Sequence, residues 1–496
     1  MVDTPADSAA TKPNNAPSSS GLQKPGDVVI EQIFLNSVAG ASIDLKPFFM
    51  ELHVFEDIFS PTLHGSIIIR DSINLVGTLP IIGDEILTIN VRTPFQETPA
   101  EDDFFNKIHK SFSVYAVKDR KLNNDREQYY QLFFCSLEAS VDNTTRISQK
   151  FNGTTDEIAD AIFTDFLSLP RIMTKKDSLV KDEAGSNNTP LFIGDTPHTS
   201  LITFVSPMWS PIRCMNWLAK RSIGAKRQSP TVLFYETTKA FYFTSVEDLI
   251  ATQVEQDAIF TDYVYHPNLQ DQQTGSALSR GYSTVESVKF LTNLDVLAGQ
   301  DLGHFASTVH TFDMVKKEYT PYTYDHGFNF NKTTHLGDYK ISLDAQSKTD
   351  KLSIDENKKY NMIYPINILR SADSKSFMAT VNPGVLDSTE DSVDLHPETF
   401  VPQRNSSLLD LMTMRMQLTV PGRTDIEVGK LVKFYYPSVG EKSQQDSEAF
   451  VWDILISGLY MITSIHHQIT TLQHKMHIEI AKDSYSIPLY DVEEEA

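Results

Sequence analysis

Cysteine is nearly absent: Cys135 and Cys214 are the only two in 496 residues. Two thiols exclude a disulfide framework and any cysteine-rich metal site. Cys135 falls in a predicted strand and Cys214 in a predicted helix, the setting of small buried hydrophobes. Glycine is sparse, at 21 residues, which removes most phosphate-cradling loops. No G-x-S-x-G, P-loop, Rossmann or H-E-x-x-H pattern occurs. Basic charge is in deficit, since 43 Lys and Arg stand against 65 Asp and Glu for a net −22. A surface built to wrap nucleic acid needs basic stripes. An acidic wall would instead repel phosphate and let DNA slide past; otherwise the charge serves solubility. No stretch approaches the roughly 18 to 20 apolar residues of a membrane helix. The first residues, MVDTPADSAATKPNNAPSSSG, have no apolar core and do not read as a secretory signal. Without such a signal, Asn143-Thr144-Thr145 and Asn405-Ser406-Ser407 read as chance matches to the glycosylation triplet.

The remaining candidates for chemistry are weak. Glu56-Asp57 and Asp102-Asp103 are adjacent acids with no partner pattern, and they do not make a glycosidase pair. His466-His467 and His474-x-x-His477 cluster near the C-terminal end. On strands 466 and 467 face opposite sides, and so do 474 and 477, so their ligand atoms do not converge; partly exposed sheet histidines are expected. Trp209, Trp217 and Tyr235 could form a stacking platform, but Trp217 sits beside apolar Leu218 in a predicted helix and Trp209 just before a helix cap, which favours packing. The expectation is a non-enzyme without cofactor or metal.

What is present is β-structure and a repeat. From Val28 to about Asn143 apolar residues alternate with polar ones, as in Met50, Leu52 and Val54 against Glu51, His53 and Phe55. Lys110 to Lys118 and Tyr129 to Glu138 form a predicted hairpin across a polar loop, Leu122 to Arg126. The middle changes character. Thr154 and Glu157 make a capping box opening a helix with Ile158, Ile162 and Phe166 on the same face as Ala159, Phe163 and Leu167. A second helix starts at Ser210-Pro211, with Gly224 as its left-handed cap. Two strands follow, Thr231 to Glu236 and Ala240 to Ser245. Ser406 is read as the cap of a short helix through Leu408, Leu409 and Met412, leading into the strand Met414 to Val420. The repeat joins the two ends: Gly83 and Gly429 each open an alternating strand, 346 apart, and Gln128 to Cys135 falls opposite His474 to Ala481 at the same spacing. Val114 to Val117 is matched with Leu459 to Ile462, placing Tyr115 against Tyr460.

The resulting division is a tail at 1–26, a first β-domain at 27–143, an α+β insertion at 144–265, a β-rich connecting region at 266–404 with an acidic loop at 387–392, a second β-domain at 405–484, and an acidic tail at 485–496.

Several segments in this order resemble the baseplate central hub subunits of contractile-tailed, T-even-type bacteriophages. They are Leu52 to Ser60 with His64 to Asp71, Leu79 to Glu85, Ser206 to Pro211 with Trp217 to Ser222, Leu233 to Glu236 with Phe243 to Ser245, Leu418 to Gly429, and Ser457 to His466. The hub part of type VI secretion spike proteins is a more distant relative. The resemblance spans roughly Val28 to Asp483 and is weakest over 266–400. It implies a mainly β fold with an α+β insertion and two tail-tube-like antiparallel β-barrel domains in one chain. It further implies a homotrimer presenting six similar units, adapting a six-fold tail tube to a three-fold spike and lining the DNA passage without specific binding. Implied partners are a spike or tail lysozyme protein, tail tube or tube-initiator proteins and baseplate wedge proteins. The implied location is the virion's tail baseplate, assembled in the host cytoplasm. The residues expected to form the ring are Ile86, Ile89, Tyr115, Val117, Tyr130, Phe133, Leu431, Phe434, Tyr460, Ile462, Met476 and Ile478. The insertion is expected to decorate the outside. A tail-tip carbohydrate-binding adhesin and a tail-associated wall hydrolase stand as alternatives; neither requires a ring.

Overall fold

The computed structural model describes residues 24–37, 40–78, 81–93, 107–124, 127–169, 189–198, 201–256, 258, 260–265, 281–293, 295–313, 318–340, 362–369, 397–438 and 452–486. The expected N-terminal tail up to residue 23, the pair Asp102-Asp103, the loop 387–392 and the acidic end beyond residue 486 lie outside the described residues. No described helix is long and apolar enough to cross a membrane.

The chain is mainly β. Six strands near the N-terminal end are β1 (Val29–Asn36), β2 (Phe49–Asp57), β3 (His64–Asp71), β4 (Ile86–Arg92), β5 (Lys107–Asn124) and β6 (Glu127–Ser136). The α+β insertion follows, with β7 (Lys150–Thr154), α1 (Thr155–Ile162), β8 (Leu201–Val205), α2 (Pro211–Ala219), β9 (Val232–Glu236), β10 (Phe241–Ser245) and α3 (Val246–Glu255). Then come β11 (Thr261–Tyr265), β12 (Ser287–Asn293), the hairpin β13 (Ala306–Asp313) and β14 (Glu318–Asp325), and helix α4 (Pro397–Thr413). The chain closes with β15 (Met414–Pro421), β16 (Leu431–Tyr435), β17 (Gly458–Thr470) and β18 (His474–Lys482).

The repeat is visible as topology. The first unit runs β2-β3-β6-β5-β4-β1 across its sheet, and the second runs β12-β15-β18-β17-β16-β11. Spatial order and chain order correspond strand for strand. One difference lies at the edge, where β1 pairs antiparallel with β4 but β11 pairs parallel with β16. Strands β11 and β12, which the sequence division leaves in the insertion and the connecting region, thus pair into the second unit's sheet. Together with two short edge strands, Ser42–Asp44 beside β1 and Thr284–Val285 beside β11, the units form one mixed sheet of fourteen strands among the described residues. Among the described residues no ladder closes either unit into a barrel.

Alternation drives the strands. In β6, Gln128, Tyr130, Leu132, Phe134 and Ser136 point inward while every second residue is half-exposed. Each unit and the insertion has its own apolar core. Local signals operate in the insertion: Thr154 and Glu157 form the expected capping box, and Pro211 occupies the first turn of α2 after Ser210. Helix α2 stops at Ala219, however, and Gly224 instead bridges to His198. Ser406 is not a cap. It lies inside the seventeen-residue α4, buried, donating its hydroxyl to the His304 carbonyl at 2.7 Å. Cys214 is buried near Ser206, while Cys135 is half-buried. Trp209 and Trp217 pack at the edge of the insertion core, Trp217 stacking on Phe204 at 4.5 Å.

Candidate assembly interface

The two units are joined through the long strand β17. Its first half pairs with β16, from Phe434 opposite Gly458 to Leu431 opposite Met461. Its second half pairs antiparallel with β2 of the first unit, from Ser464 opposite Asp57 to Thr470 opposite Glu51. Ile469 faces Leu52 in this ladder, both are fully buried, and Ile469 belongs to the core of the first unit rather than its own. Burying such a side chain contributes about 1.5–3 kcal/mol.

Buried carboxylates seal the joint. Glu56 of β2 accepts the Thr238 amide at 3.2 Å and the Val428 amide at 3.4 Å, and His467 lies 3.6 Å away. One side chain thereby ties the first unit, the second unit and the β9–β10 turn of the insertion. Burial pushes its carboxyl up, but hydrogen bonding and charge from His467, with help from Thr238 and Lys239, hold it below the ordinary value. Glu236, at the end of β9, accepts the Leu63 amide at 2.8 Å and pairs with Lys110. Burial pushes Glu236 up to about 7 against the pull of Lys110. The turn residues Thr237, Thr238 and Lys239 are buried, so this end of the insertion is wedged between the units. A deletion of 145–265 would also remove β11 from the second unit's sheet.

The histidines sort onto two faces, as strand geometry requires. On one, His53 Nδ1 lies 2.9 Å from His466 Nε2, and the His466 and His477 rings stack at 5.4 Å. Burial lowers His466 to about 4, with further lowering from His53 and His477. On the other face His467 and His474 are wholly buried, 3.1 Å apart, rather than partly exposed, because that face of β17 looks into the core.

The ladders fix the true correspondence of the repeat. In β6 and β18, Gln128 and His474 are equivalent at a spacing of 346, as the sequence suggests. In the neighbouring strands, the bulge between Val114 and Ala116 matches that between Ile462 and Ser464. Val114 therefore corresponds to Ile462, not Leu459, and Tyr115 sits on the bulge, 52% exposed. Further along, Leu122 faces Gln128 just as Ile469 faces His474. Leu122 is thus the counterpart of Ile469. It lies within β5, not in the loop expected there, and is 73% exposed. Beyond Val114, β5 pairs only with β6 among the described residues, so the flank that β2 covers on β17 is open on β5. Likewise, among the described residues, β12, the counterpart of β2, pairs only with β15, and it exposes Phe290 and Leu291.

Of the twelve residues expected in the ring, Ile89, Tyr130, Leu431, Phe434, Tyr460, Ile462, Met476 and Ile478 are buried in the chain's own cores. Ile86, Val117 and Phe133 are half-buried, and Tyr115 is exposed. Only these four have surface to offer a neighbour, and Tyr115 and Val117 flank the start of the open stretch of β5. Leu122 was hidden in a polar run; only its register opposite Gln128 identifies it. Among the described residues one trio of side chains lies close enough to hold a metal, His304, His326 and Asp410.

No family model matches the chain, and no curated protein matches it. Among solved structures it is similar to a tail protein of Neisseria meningitidis MC58, at 7% identity and a TM-score of 0.46, covering 91% of this chain and 96% of that one. It is similar to the 43 kDa tail protein of prophage MuSo2 from Shewanella oneidensis, at 9% identity and a TM-score of 0.48, covering 91% and 98%. It is also similar to the E. coli c3393 protein, described as a component of the type VI secretion system with structural similarity to T4 bacteriophage tail proteins gp27 and gp5, at 8% identity and a TM-score of 0.37, covering 94% and 80%. Identities and TM-scores this low carry no argument about function, which has to come from the chain's own strands.

Proposed function

We propose that this chain is a non-enzymatic structural hub of a contractile phage tail, in which three copies close into a ring of six tail-tube-like units. The observation that carries the reading is the unequal state of Leu122 and Ile469. Inside the chain, the far half of β17 adds to β2 and plugs Ile469 into the first unit's core. The same half of β5 carries Leu122 exposed, and among the described residues the counterpart of β2 has a free edge. Adding β12 of a neighbouring copy to β5 would repeat the internal joint between chains. It would bury Leu122 and remove two exposed sheet edges, which natural proteins avoid leaving open. Three chains are what the residue resemblance implies. Such a ring presents six similar units to a tail tube and three identical chains to a spike, with wedge proteins outside and DNA passing through its hole in the virion.

Native mass spectrometry and negative-stain electron microscopy test this, on the wild-type chain alone and co-expressed with candidate spike proteins. A three-fold torus with pseudo-six-fold density is expected, together with its loss in Leu122→Asp. A wild-type chain that stays monomeric with every spike candidate would overturn the reading. Peptidoglycan zymography is expected to show no clearing.

A further inference from the structure

The stretch between β12 and β15 carries a cluster that the ring does not use. His304 lies in the bend before β13, His326 opens the short helix after β14, and Asp410 projects from α4. All three are buried, at 3%, 4% and 5% exposure. His304 Nε2 lies 2.6 Å and His326 Nε2 3.4 Å from the same oxygen, Asp410 Oδ1.

The surrounding hydrogen bonds fix how His326 is presented. Ser406 spends its single hydroxyl proton on the His304 carbonyl, 2.7 Å away. Its oxygen is then an acceptor toward His326 Nδ1 at 3.0 Å, so Nδ1 carries the proton. In the neutral ring, Nε2 therefore turns its lone pair toward the Asp410 carboxylate. A ring nitrogen held by an outer oxygen while the other faces an anion is the arrangement that orients metal-bound histidines.

We propose that His304, His326 and Asp410 form a structural site for one divalent transition ion of the zinc class. The three ligand atoms all lie within 4.8 Å of one another. Zinc bonds of about 2.0–2.2 Å place tetrahedral ligands about 3.3–3.6 Å apart, so closing the site needs shifts on the order of 1 Å. Two imidazoles and one carboxylate suit zinc, whereas calcium and magnesium take oxygen ligands. On the His304 side of the cluster lies a cavity of about 190 Å³, lined in part by Asp295, Gly299, His304, Thr413 and Arg415.

The fold has a use for such an ion. Phe305, Val309, Tyr324 and Phe330 are buried here but belong to none of the three apolar cores. A metal clip would bind the β13–β14 hairpin to α4, which feeds directly into β15. Small segments without a core of their own gain stability this way.

The test uses the full chain without an affinity tag, stripped with chelator and equilibrated with Co²⁺ or Zn²⁺. Metal content by mass spectrometry should be one equivalent per chain. Co²⁺ should give the visible absorption of a four-coordinate ion, displaced by Zn²⁺, and Zn²⁺ should raise the melting temperature. Binding should fall at least tenfold in His326→Gln and Asp410→Asn and persist in the double variant His466→Gln/His477→Gln. Less than a tenth of an equivalent bound to the wild-type chain would overturn the proposal, as would undiminished binding in Asp410→Asn and His326→Gln. A melting temperature indifferent to Zn²⁺ would overturn the structural role.

Discussion

In the first unit, six residues connect β2 to β3; in the second, 120 residues separate their counterparts β12 and β15. Yet the six strands take the same order in both sheets. Pairing follows apolar register, not distance along the chain, because the entropy of closing a loop grows only slowly with its length. The units differ more consequentially at their long strands. β17 is covered on both flanks and delivers Ile469 into a neighbouring core, while among the described residues the matching end of β5 is bare on one flank and leaves Leu122 exposed. Equivalent positions on equivalent strands are thus buried in one unit and exposed in the other.

The sharpest way to break that comparison is to place the same charge at both positions. Ile469→Asp buries an unpaired carboxylate, which costs about 4 kcal/mol or more, and soluble yield should collapse. Leu122→Asp should leave soluble yield, and the melting of the unassembled chain, within roughly 0.5 kcal/mol of wild type, since within one chain it changes an exposed site. If both variants melted like the wild type, the equivalence of the two positions would be lost. Next in size is Glu56→Ala, which strands the Thr238 and Val428 amides and His467 at the joint. A loss of about 3 kcal/mol in denaturant unfolding is expected, because removing one partner leaves buried polar groups unsatisfied.

Much of this was legible in the sequence and some could not have been. The glycines that open β4 and β16 do adopt positive φ, +96° at Gly83 and +85° at Gly429. The capping box at Thr154 and the Ser210-Pro211 start are local signals and appear as written. Register was not local. An alternating pattern fits a partner at many offsets, so the sequence pattern places Tyr115 against Tyr460, whereas the paired bulges align Val114 with Ile462. Helix α4 begins nine residues before Ser406 and passes through Pro402, a residue that reads as a breaker. The expected ring residues follow apolar alternation, which marks the face turned to the core; the flank of β5 that is open among the described residues is a row of backbone groups with no side-chain signature.

The two turn glycines offer a finer comparison. Both sit where an alanine is strained by about 1 kcal/mol. At Gly83 the added methyl would meet the Tyr115 carbonyl oxygen at 3.3 Å, and at Gly429 the Tyr235 hydroxyl at 2.8 Å. Gly429→Ala should therefore cost about 2 kcal/mol and Gly83→Ala about 1, read as the difference in denaturant midpoint. Equal losses would mean that the insertion does not press on the second unit's turn as closely as Tyr235 suggests.

The smallest effect is one of pH, and its two sides belong to different places. At the joint, burial lowers His53, and burial with neighbouring histidines lowers His466 to about 4. The unfolded chain takes up protons first as pH falls below 6.5, so stability declines on the acid side. On the second unit, His335 lies 2.9 Å from Asp483, and Leu336 donates its amide to the same carboxylate at 3.0 Å. Burial alone would lower His335, but the hydrogen bond and charge of Asp483 outweigh it and raise the ring to about 9. A raised folded value gives stability that is complete below 6.5 and lost as pH rises through 9. Thermal melting should accordingly peak near pH 6.5. His335→Asn should flatten only the alkaline limb, and His466→Gln only the acid one. If His335→Asn left the alkaline limb unchanged, the clip between Asp483 and the segment around His335 would not be the source of that slope, and the second unit would hold its insertion by packing alone.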